Sequence, residues 1–191
     1  MQFTERKLKG VVEVDLNPHK DSRGFFMRTF DESIFKERGL DRIWQQENHS
    51  RSEKKDIIRG LHFQLPPFSE TKLVRCIKGA IFDVFVDLRR NSATFGKWDF
   101  IELSEDNKKM IFIPKGFAHG FCTLTKVSEI VYKVDNIYNP NYEQGIIWND
   151  PDINIKWPTI NPILSEKDNK NMTLKVFTKN FNAIEINKNE Y

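Results

Sequence analysis

Short apolar runs separated by polar turns recur along this chain. The run Val11–Leu16 alternates apolar and polar residues, as a half-buried strand does. Similar runs follow at intervals of about 8–12 residues, a spacing typical of antiparallel sandwiches and barrels. We predict strands over residues 11–16, 25–30, 43–48, 57–64, 72–77, 80–88, 97–103, 109–113, 117–124 and 128–135. The predicted fold class is therefore all-β.

Helical signals are few. Asp31 is a favourable N-cap and Gly39 a typical stop, so the pattern predicts a short helix over residues 32–39. Ser165 predicts a second brief helix. Residues 173–191 are polar and weakly patterned, and we expect a peripheral tail there. No repeat or linker divides the sequence, so residues 1–191 are predicted to form one domain.

Composition and charge narrow the class of protein. The chain has 191 residues, 39% apolar and 30% charged, as is ordinary for a soluble globular protein. No apolar run approaches the ~20 residues of a membrane span, and no signal peptide is evident, so we expect a cytoplasmic protein without membrane partners. Cys76 and Cys122 are then two reduced, buried thiols. The mild net charge of +3 permits an anionic small molecule and does not indicate nucleic acid.

The run Ile57–Gln64 contains an arginine and a histidine three residues apart. In a regular strand His62 faces one side of the sheet and Arg59 faces the other. His62 is either an acid or base in a ligand cavity or a core histidine bonded to a neighbour. Lys72, at the start of the next strand, either faces the same cavity or is an exposed strand-end lysine. These residues alone leave both pairs of alternatives open.

Other polar residues on the predicted strands also suggest chemistry. Asp83 and Asp87 share one strand face, and they could serve a metal, act as acid and base, or simply bond turns or arginines. His119 follows Pro114 and Gly116, a pattern found in cupin jelly rolls whose histidine often binds metal. The earlier His-x-His pair of such sites is missing, which argues against a metal.

Two tyrosines and one acid complete the candidates. Tyr132 could donate a proton and Tyr138 could stack on a base, although both could equally be sheet tyrosines with solvated hydroxyls. Asp168 lies near the predicted helix start at Ser165. By itself it is indistinguishable from an exposed acid.

Taken together, these motifs resemble the dTDP-4-dehydrorhamnose 3,5-epimerase family. The matching segments keep the order and spacing of that family over roughly residues 10 to 170. They are Asp21-Ser-Arg-Gly-Phe-Phe26, Gln46-Glu-Asn-His-Ser50, Arg59-Gly-Leu-His-Phe-Gln64, Lys72-Leu-Val-Arg75, Phe82-Asp-Val-Phe-Val-Asp87, Pro114-Lys-Gly-Phe-Ala-His-Gly-Phe121, Tyr132-Lys133, Tyr138-Asn-Pro140 and Trp148-Asn-Asp-Pro151. The resemblance implies a metal-free cupin jelly roll with a few short helices, dimeric, with its site inside the barrel.

The resemblance also implies an isomerase acting on a nucleotide-diphospho-4-keto-6-deoxy sugar. Its C4 ketone acidifies the protons on C3 and C5, so no cofactor is needed. By similarity, His62 is the base and Asp168 orients it. Tyr132 is then the proton donor on the opposite face, chiefly at C5, and Lys72 stabilises the enolate.

The binding residues are likewise assigned by similarity. Arg59 and Arg23 would hold the diphosphate, since a guanidinium matches phosphate geometry. Three further residues would line the ligand, and two would sandwich the base, with the dimer interface between them. The lining residues are Gln46, Asn48 and His119, and the sandwich is Phe26 with Tyr138.

One residue departs from the family pattern. Arg28 stands where the family usually carries an acid near the nucleotide. It could contact guanine or an extra phosphate, as in relatives that epimerise GDP-linked 4-keto-heptoses for capsule synthesis, or it could point to solvent. Three further alternatives are epimerisation at a single carbon, a 3,4-ketoisomerase and a non-catalytic sugar-binding cupin.

Overall fold

A computed structural model describes residues 1–186; residues 187–191, the end of the predicted domain and tail, lie outside the described part. The elements within residues 1–186 are mostly strands with three short helices. They are β1 (Gln2–Glu5), β2 (Val12–Asp15), β3 (His19–Asp21), β4 (Gly24–Phe26), α1 (Glu32–Glu37), β5 (Gln46–Ser52), β6 (Ile58–Gln64), β7 (Lys72–Lys78), β8 (Ala80–Asp87), β9 (Trp98–Ser104), β10 (Lys109–Ile113), β11 (Phe117–Thr123), β12 (Ser128–Val134), β13 (Glu143–Gly145), α2 (Glu166–Asn169) and α3 (Leu174–Phe181).

The strands form two large antiparallel sheets and one hairpin. The six-stranded sheet has the order β1-β2-β10-β7-β12-β5, the five-stranded sheet has the order β13-β6-β11-β8-β9, and β3 pairs with β4. A core between the sheets combines Val74 and Ile111 of the first with Phe85 and Phe121 of the second. Two sheets packed face to face on an apolar core are a jelly-roll arrangement, so the predicted all-β fold class is confirmed.

Each sheet also has a covered outer face. Asp31 caps α1 by accepting from the Ile34 amide, and α1 buries Phe35 against the six-stranded sheet. On the other side, α3 packs Phe177 edge-on against Phe63 of β6, with ring centroids 5.4 Å apart. No helix in residues 1–186 is long and apolar enough to span a membrane.

Several segments differ from the sequence predictions, and the strands β1, β3 and β13 were not predicted at all. Residues 17–24, which lie between two predicted strands, contain β3 and the start of β4, and the strand expected over 25–30 ends at Phe26. The strand expected over residues 43–48 begins at Gln46 and extends to Ser52, because residues 46–52 pair with β12. The segment expected as a peripheral tail contains α3, whose Phe177 is fully buried.

Candidate active site

A cavity of about 430 Å³ lies between the two sheets. Six of the predicted site residues line it, and they come from both sheets and from α2. They are Arg59, His62, Lys72, His119, Tyr132 and Asp168.

His62 and Asp168 form a short hydrogen bond within this cavity. Nε2 of His62 lies 2.5 Å from Oδ1 of Asp168. Asp168 is held by α2, whose N-cap Ser165 accepts from the Asp168 amide and donates its hydroxyl to Oδ2 at 2.8 Å. The first turn of a capped helix therefore fixes the carboxylate against the imidazole.

The ionisation of Asp168 determines which nitrogen of His62 can act. Burial opposes ionisation of this carboxyl, but the hydrogen bond from His62 and its charge outweigh that effect, so the pKa of Asp168 is lowered. An ionised carboxylate can only accept, so Nε2 of His62 carries the proton. In the neutral imidazole, Nδ1 then keeps its lone pair and can accept a proton from a ligand.

A β-bulge brings Arg59 to the same cavity as His62. His119 of β11 pairs with His62, whereas Phe121 of β11 pairs with Arg59. Between these two pairs β6 advances by three residues and β11 by two, so β6 contains one extra residue. The extra residue reverses the alternation, and the prediction that Arg59 faces away from His62 is wrong.

Two glycines make room for this bulge. Gly60 has φ +121°, and a Cβ atom there would lie 2.6 Å from the Cα of Gly120 and 2.7 Å from the carbonyl oxygen of His119. Such distances are shorter than real Cβ contacts. Any side chain at position 60 would push β6 away from β11 and separate the residues that line the cavity.

Tyr132 and Lys72 belong to the opposite wall. Tyr132 stands on β12 opposite Val74 of β7, and Lys72 begins β7 opposite Val134 of β12. The Lys72 side chain is only 10% exposed, and its Nζ lies 3.1 Å from a carboxylate oxygen of Glu70. The site thus has an imidazole on one sheet and a phenol with an ammonium group on the other.

The two acids of β8 have different surroundings. Asp83 is fully buried, and its Oδ2 lies 2.9 Å from Nε2 of His119. Asp87 accepts hydrogen bonds from Arg89, Ser92 and Thr94. Burial opposes ionisation of Asp87, but these donors lower its pKa. Of the alternatives for Asp87, the structure supports turn bonding and pairing with arginine.

Within residues 1–186, no group of three or more His, Cys, Asp or Glu side chains could hold a metal ion.

A second cavity of about 150 Å³ adjoins the first and contains three more of the predicted residues. Gln46 and Asn48 reach it from β5, and Tyr138 reaches it from the segment after β12. Oε1 of Gln46 accepts from the Tyr138 amide at 2.8 Å, which fixes the two residues relative to each other. His62, Lys72 and Tyr132 line both cavities, so a single ligand could occupy the two.

Sequence reasoning missed three charged residues around these cavities. Glu70 binds Lys72, and Glu143 accepts from the Tyr138 hydroxyl at 2.7 Å and lies 2.6 Å from Nζ of Lys167. The hydrogen bond to Glu143 raises the pKa of Tyr138. Only Lys167 could have been predicted from sequence, because it directly precedes Asp168. Glu70 and Glu143 lie in segments without a recognisable motif, so nothing in the sequence indicated that they lie at the cavities.

The remaining predicted residues lie outside both cavities of this single chain. Arg23 pairs with Asp21 beside the β3–β4 hairpin, with 2.6 Å between Nη2 and Oδ2. The Phe26 side chain is exposed. Nη1 of Arg28 lies 2.7 Å from Oδ2 of Asp31, the N-cap of α1. In one chain, therefore, these residues do not join His62.

Known proteins of one family are similar to this chain in sequence and in fold. Residues 5–176 match the model of the dTDP-4-dehydrorhamnose 3,5-epimerase family. The enzyme of that name from Shigella flexneri is 52% identical over 169 residues, which cover 88% of this chain and 93% of the relative. The crystal structure of the Bacillus anthracis enzyme, with TDP and PPi bound, has a TM-score of 0.89 at 40% identity and covers 91% of this chain and 99% of its own.

A second solved structure extends the match. The dTDP-6-deoxy-D-glucose-3,5-epimerase of Legionella pneumophila, in complex with dTDP-4-keto-L-rhamnose, has a TM-score of 0.91 at 34% identity. The match covers 97% of this chain and 98% of that one. The family match and the high identity over most of both chains agree with the motifs. This chain therefore belongs to the dTDP-4-dehydrorhamnose 3,5-epimerase family, whose members are isomerases.

Proposed function

We propose that this protein inverts C3 and C5 of a dTDP-linked 4-keto-6-deoxy sugar, with His62 and Tyr132 as its proton-transferring groups. One observation carries the assignment of these residues. His62 stands on the five-stranded sheet and Tyr132 on the six-stranded sheet, and both line one cavity. Inversion removes a proton from one face of a carbon and returns one to the other face. A sugar held between the sheets meets both groups.

The proposed reaction begins at His62. Nδ1 takes the proton from C5, and the electrons of the C–H bond move into the carbonyl to give an enolate at C4. The ammonium group of Lys72 stabilises the enolate oxygen, an effect typically worth about 3–4 kcal/mol for one positioned donor. Tyr132 returns a proton to C5 from the opposite face, and the ketone re-forms. Proton exchange with solvent restores His62 and Tyr132, and the same steps act on C3.

The ionised Asp168 supports this cycle by stabilising the imidazolium that forms on His62. The hydrogen bond between them is charge-assisted, which strengthens it relative to a neutral bond. It also keeps the reactive Nδ1 directed away from Asp168. Since the ketone itself accepts the electrons, the chemistry needs no cofactor.

The charges of the two cavities suggest how the nucleotide lies. The larger cavity is lined by three cationic residues, Arg59, Lys72 and Lys167, and by one acid, Asp168. The smaller one shares Lys72 and adds two acids, Glu70 and Glu143, beside amide groups. A diphosphate fits the larger, cationic cavity, and a base fits the smaller one, where Tyr138 offers a ring. The Bacillus anthracis structure, with TDP and PPi bound, supports ligands of this class.

Thymidine is favoured over guanosine as the base. The relatives described above are named for dTDP sugars. Arg28, the residue that suggested a GDP-linked heptose, already has an ionic partner in Asp31. Its charge therefore does not require a different base. Calorimetry with dTDP against GDP tests this choice, and tighter binding of GDP would reverse it.

We further propose that a second copy of the chain completes the site. Phe26 is 69% exposed and Phe25 is 52% exposed on the β3–β4 hairpin, an unusual exposure for two adjacent large apolar side chains. Arg23 and Phe26 belong to matching family motifs but lie outside the cavities of their own chain. A symmetric dimer that exchanges hairpins would bring them to the partner's nucleotide.

The two free, buried cysteines support a cytoplasmic location.

Solvent exchange tests the proposed reaction. The protein is incubated with dTDP-4-keto-6-deoxyglucose in D₂O, and deuterium at C3 and C5 is followed by NMR. We expect wash-in at both carbons, its loss at both in His62→Asn, and a larger effect on C5 than on C3 in Tyr132→Phe. His49→Asn is the matched control, because that imidazole lies on β5 with a 54% exposed side chain and lines neither cavity.

The possible outcomes discriminate between the candidates. No wash-in by the wild-type protein would reject the epimerase proposal. Exchange at C3 alone would make the protein a single epimerase, the second candidate. Normal exchange in His62→Asn would show that another group is the base.

A further inference from the structure

Two imidazoles that line the same cavity are each paired with a carboxylate. One is His62 with Asp168, which the proposed reaction uses. The other is His119 with Asp83, which that reaction does not use. His62 and His119 are direct partners across β6 and β11, so their side chains are neighbours on the cavity wall.

The surroundings of Asp83 favour a positive charge on His119. Asp83 is 0% exposed, and Oδ2 meets His119 while Oδ1 is buried without a hydrogen-bond partner. A buried carboxylate is costly unless a positive charge or several donors compensate it. Within residues 1–186, His119 is the ion-pair partner recorded for Asp83. An imidazolium at His119 would therefore offset this cost.

Other charged groups oppose that protonation while the cavity is empty. Arg59 and His62 face it from β6, Lys72 from β7, and Lys167 with Asp168 from α2. Lys72 and Lys167 have carboxylate partners in Glu70 and Glu143, and Asp168 is paired with His62. Arg59 donates only to Ser52 and a backbone carbonyl among the bonds described. The positive charges of these groups disfavour protonation of His119, whereas Asp83 favours it. A diphosphate that enters the cavity would offset the positive charges and so favour protonation.

The bond to Asp83 also determines which nitrogen a ligand meets. Since Nε2 of His119 is directed at Asp83, Nδ1 is the nitrogen left for the cavity. Neutral His119 would present a lone pair there, which repels a phosphate oxygen. Protonated His119 would present an N–H donor, which binds one.

We propose that Asp83 is a positioning residue that directs His119 toward the ligand and allows His119 to gain a proton when the diphosphate binds. The inference rests on the proposed function only for the identity of the anionic ligand. The proton moves from solvent to Nδ1 of His119, and no bond of the substrate changes. Affinity for the nucleotide sugar consequently falls as pH rises and the proton becomes harder to acquire.

Calorimetry with dTDP-glucose tests this coupling. This probe lacks the reactive ketone, and each of its two phosphates carries one ester and one anhydride linkage and so keeps a single negative charge. The ligand dTDP is unsuitable because its terminal phosphate itself titrates, with a pKa of about 6. The binding heat is measured at one pH in buffers of different ionisation enthalpy, which gives the number of protons taken up. We expect uptake of a fraction of a proton, up to about one, near neutral pH in the wild-type protein.

Two variants locate the proton. Asp83→Asn keeps the volume and an acceptor for His119 but removes the buried charge, so proton uptake should vanish and the affinity should become less dependent on pH. Asp168→Asn is the matched variant at the His62 pair, and it should retain the uptake. Circular dichroism verifies that each variant is folded.

The results separate this inference from the proposed reaction. Binding of dTDP-glucose to the wild-type protein without proton uptake overturns the inference even if Asp83→Asn fails to fold. Uptake that persists in Asp83→Asn and disappears in Asp168→Asn assigns the proton to His62 and also overturns it. The epimerase proposal depends instead on deuterium exchange, which neither of these results changes.

Discussion

Replacing Asp168 with asparagine should remove most of the activity while leaving the cavity intact. The substitution preserves shape but removes the charge that lies 2.5 Å from Nε2 of His62. Ser165 donates its hydroxyl to the other carboxylate oxygen at 2.8 Å. Keeping that bond requires the amide oxygen of the variant to face Ser165. Its NH₂ group then faces His62 and forces the ring proton onto Nδ1, where the base should be.

The size of the effect follows from the two roles of Asp168. General-base catalysis by a positioned side chain contributes about 10²–10⁴-fold, and the corresponding Asp-to-Asn change in a serine protease triad lowers turnover about 10⁴-fold. We therefore expect kcat to fall by about 10²–10⁴, or roughly 3–5 kcal/mol of transition-state stabilisation. If the amide instead turns its oxygen toward His62, the tautomer is preserved and the loss lies at the lower end.

The assay is deuterium wash-in at C3 and C5 with dTDP-4-keto-6-deoxyglucose, measured at saturating substrate. Ser165→Ala is the control for helix position, because it removes the N-cap of α2 and leaves the Asp168 charge. Loss of an N-cap costs about 1 kcal/mol of stability, and we expect a much smaller loss of kcat in this variant. An Asp168→Asn enzyme within threefold of the wild-type rate would refute the argument. Equal losses in both variants would show that Asp168 acts only through the fold of α2.

Two further predictions concern the bulge and the dimer. Gly60→Ala combines an unfavourable positive φ with a close contact to Gly120, so the variant should lose about 2–5 kcal/mol of unfolding free energy. Gly24→Ala is the control, because Gly24 has φ +132° but open space around it, and this variant should lose only the strain energy. Equal losses of the two variants in urea unfolding would contradict this prediction. If hairpins are exchanged, remixing His62→Asn with Arg23→Ala protomers should create one intact site per heterodimer and restore up to about a quarter of wild-type activity. Activity equal to the mean of the separate variants would reject the exchange.

The positions of many strands were accessible from local sequence. Short apolar runs identified β6, β7 and β12, and the capping signals at Asp31 and Ser165 correctly located α1 and α2. These signals are local because side-chain alternation and the N-cap bond depend on residues only a few positions apart. The fold class followed from their spacing.

Features that depend on distant contacts were not accessible in the same way. The bulge that turns Arg59 toward His62 requires Gly60 and Gly120 to approach across two strands. The bond between Asp83 and His119 joins residues 36 positions apart. Alternation described each strand as a regular one and could not detect either contact. The helix α3, by contrast, carried a local signal that was missed, because Leu174, Phe177 and Phe181 recur at helical spacing after the N-cap Thr173.

The position of Asp168 shows why the sequence around a site residue can carry no signal. Ile163 and Ile57 form a parallel bridge, in which the Ile58 amide donates to the Ile163 carbonyl at 3.0 Å and the Ile163 amide donates to Asp56. This bridge lies five residues before His62 and five before Asp168, so the two segments leave it side by side and bring the imidazole and the carboxylate together. Backbone pairing needs no particular side chains. The geometry of the proposed catalytic pair is thus set by a backbone bridge in the wall of the cavity, which no motif at Asp168 records.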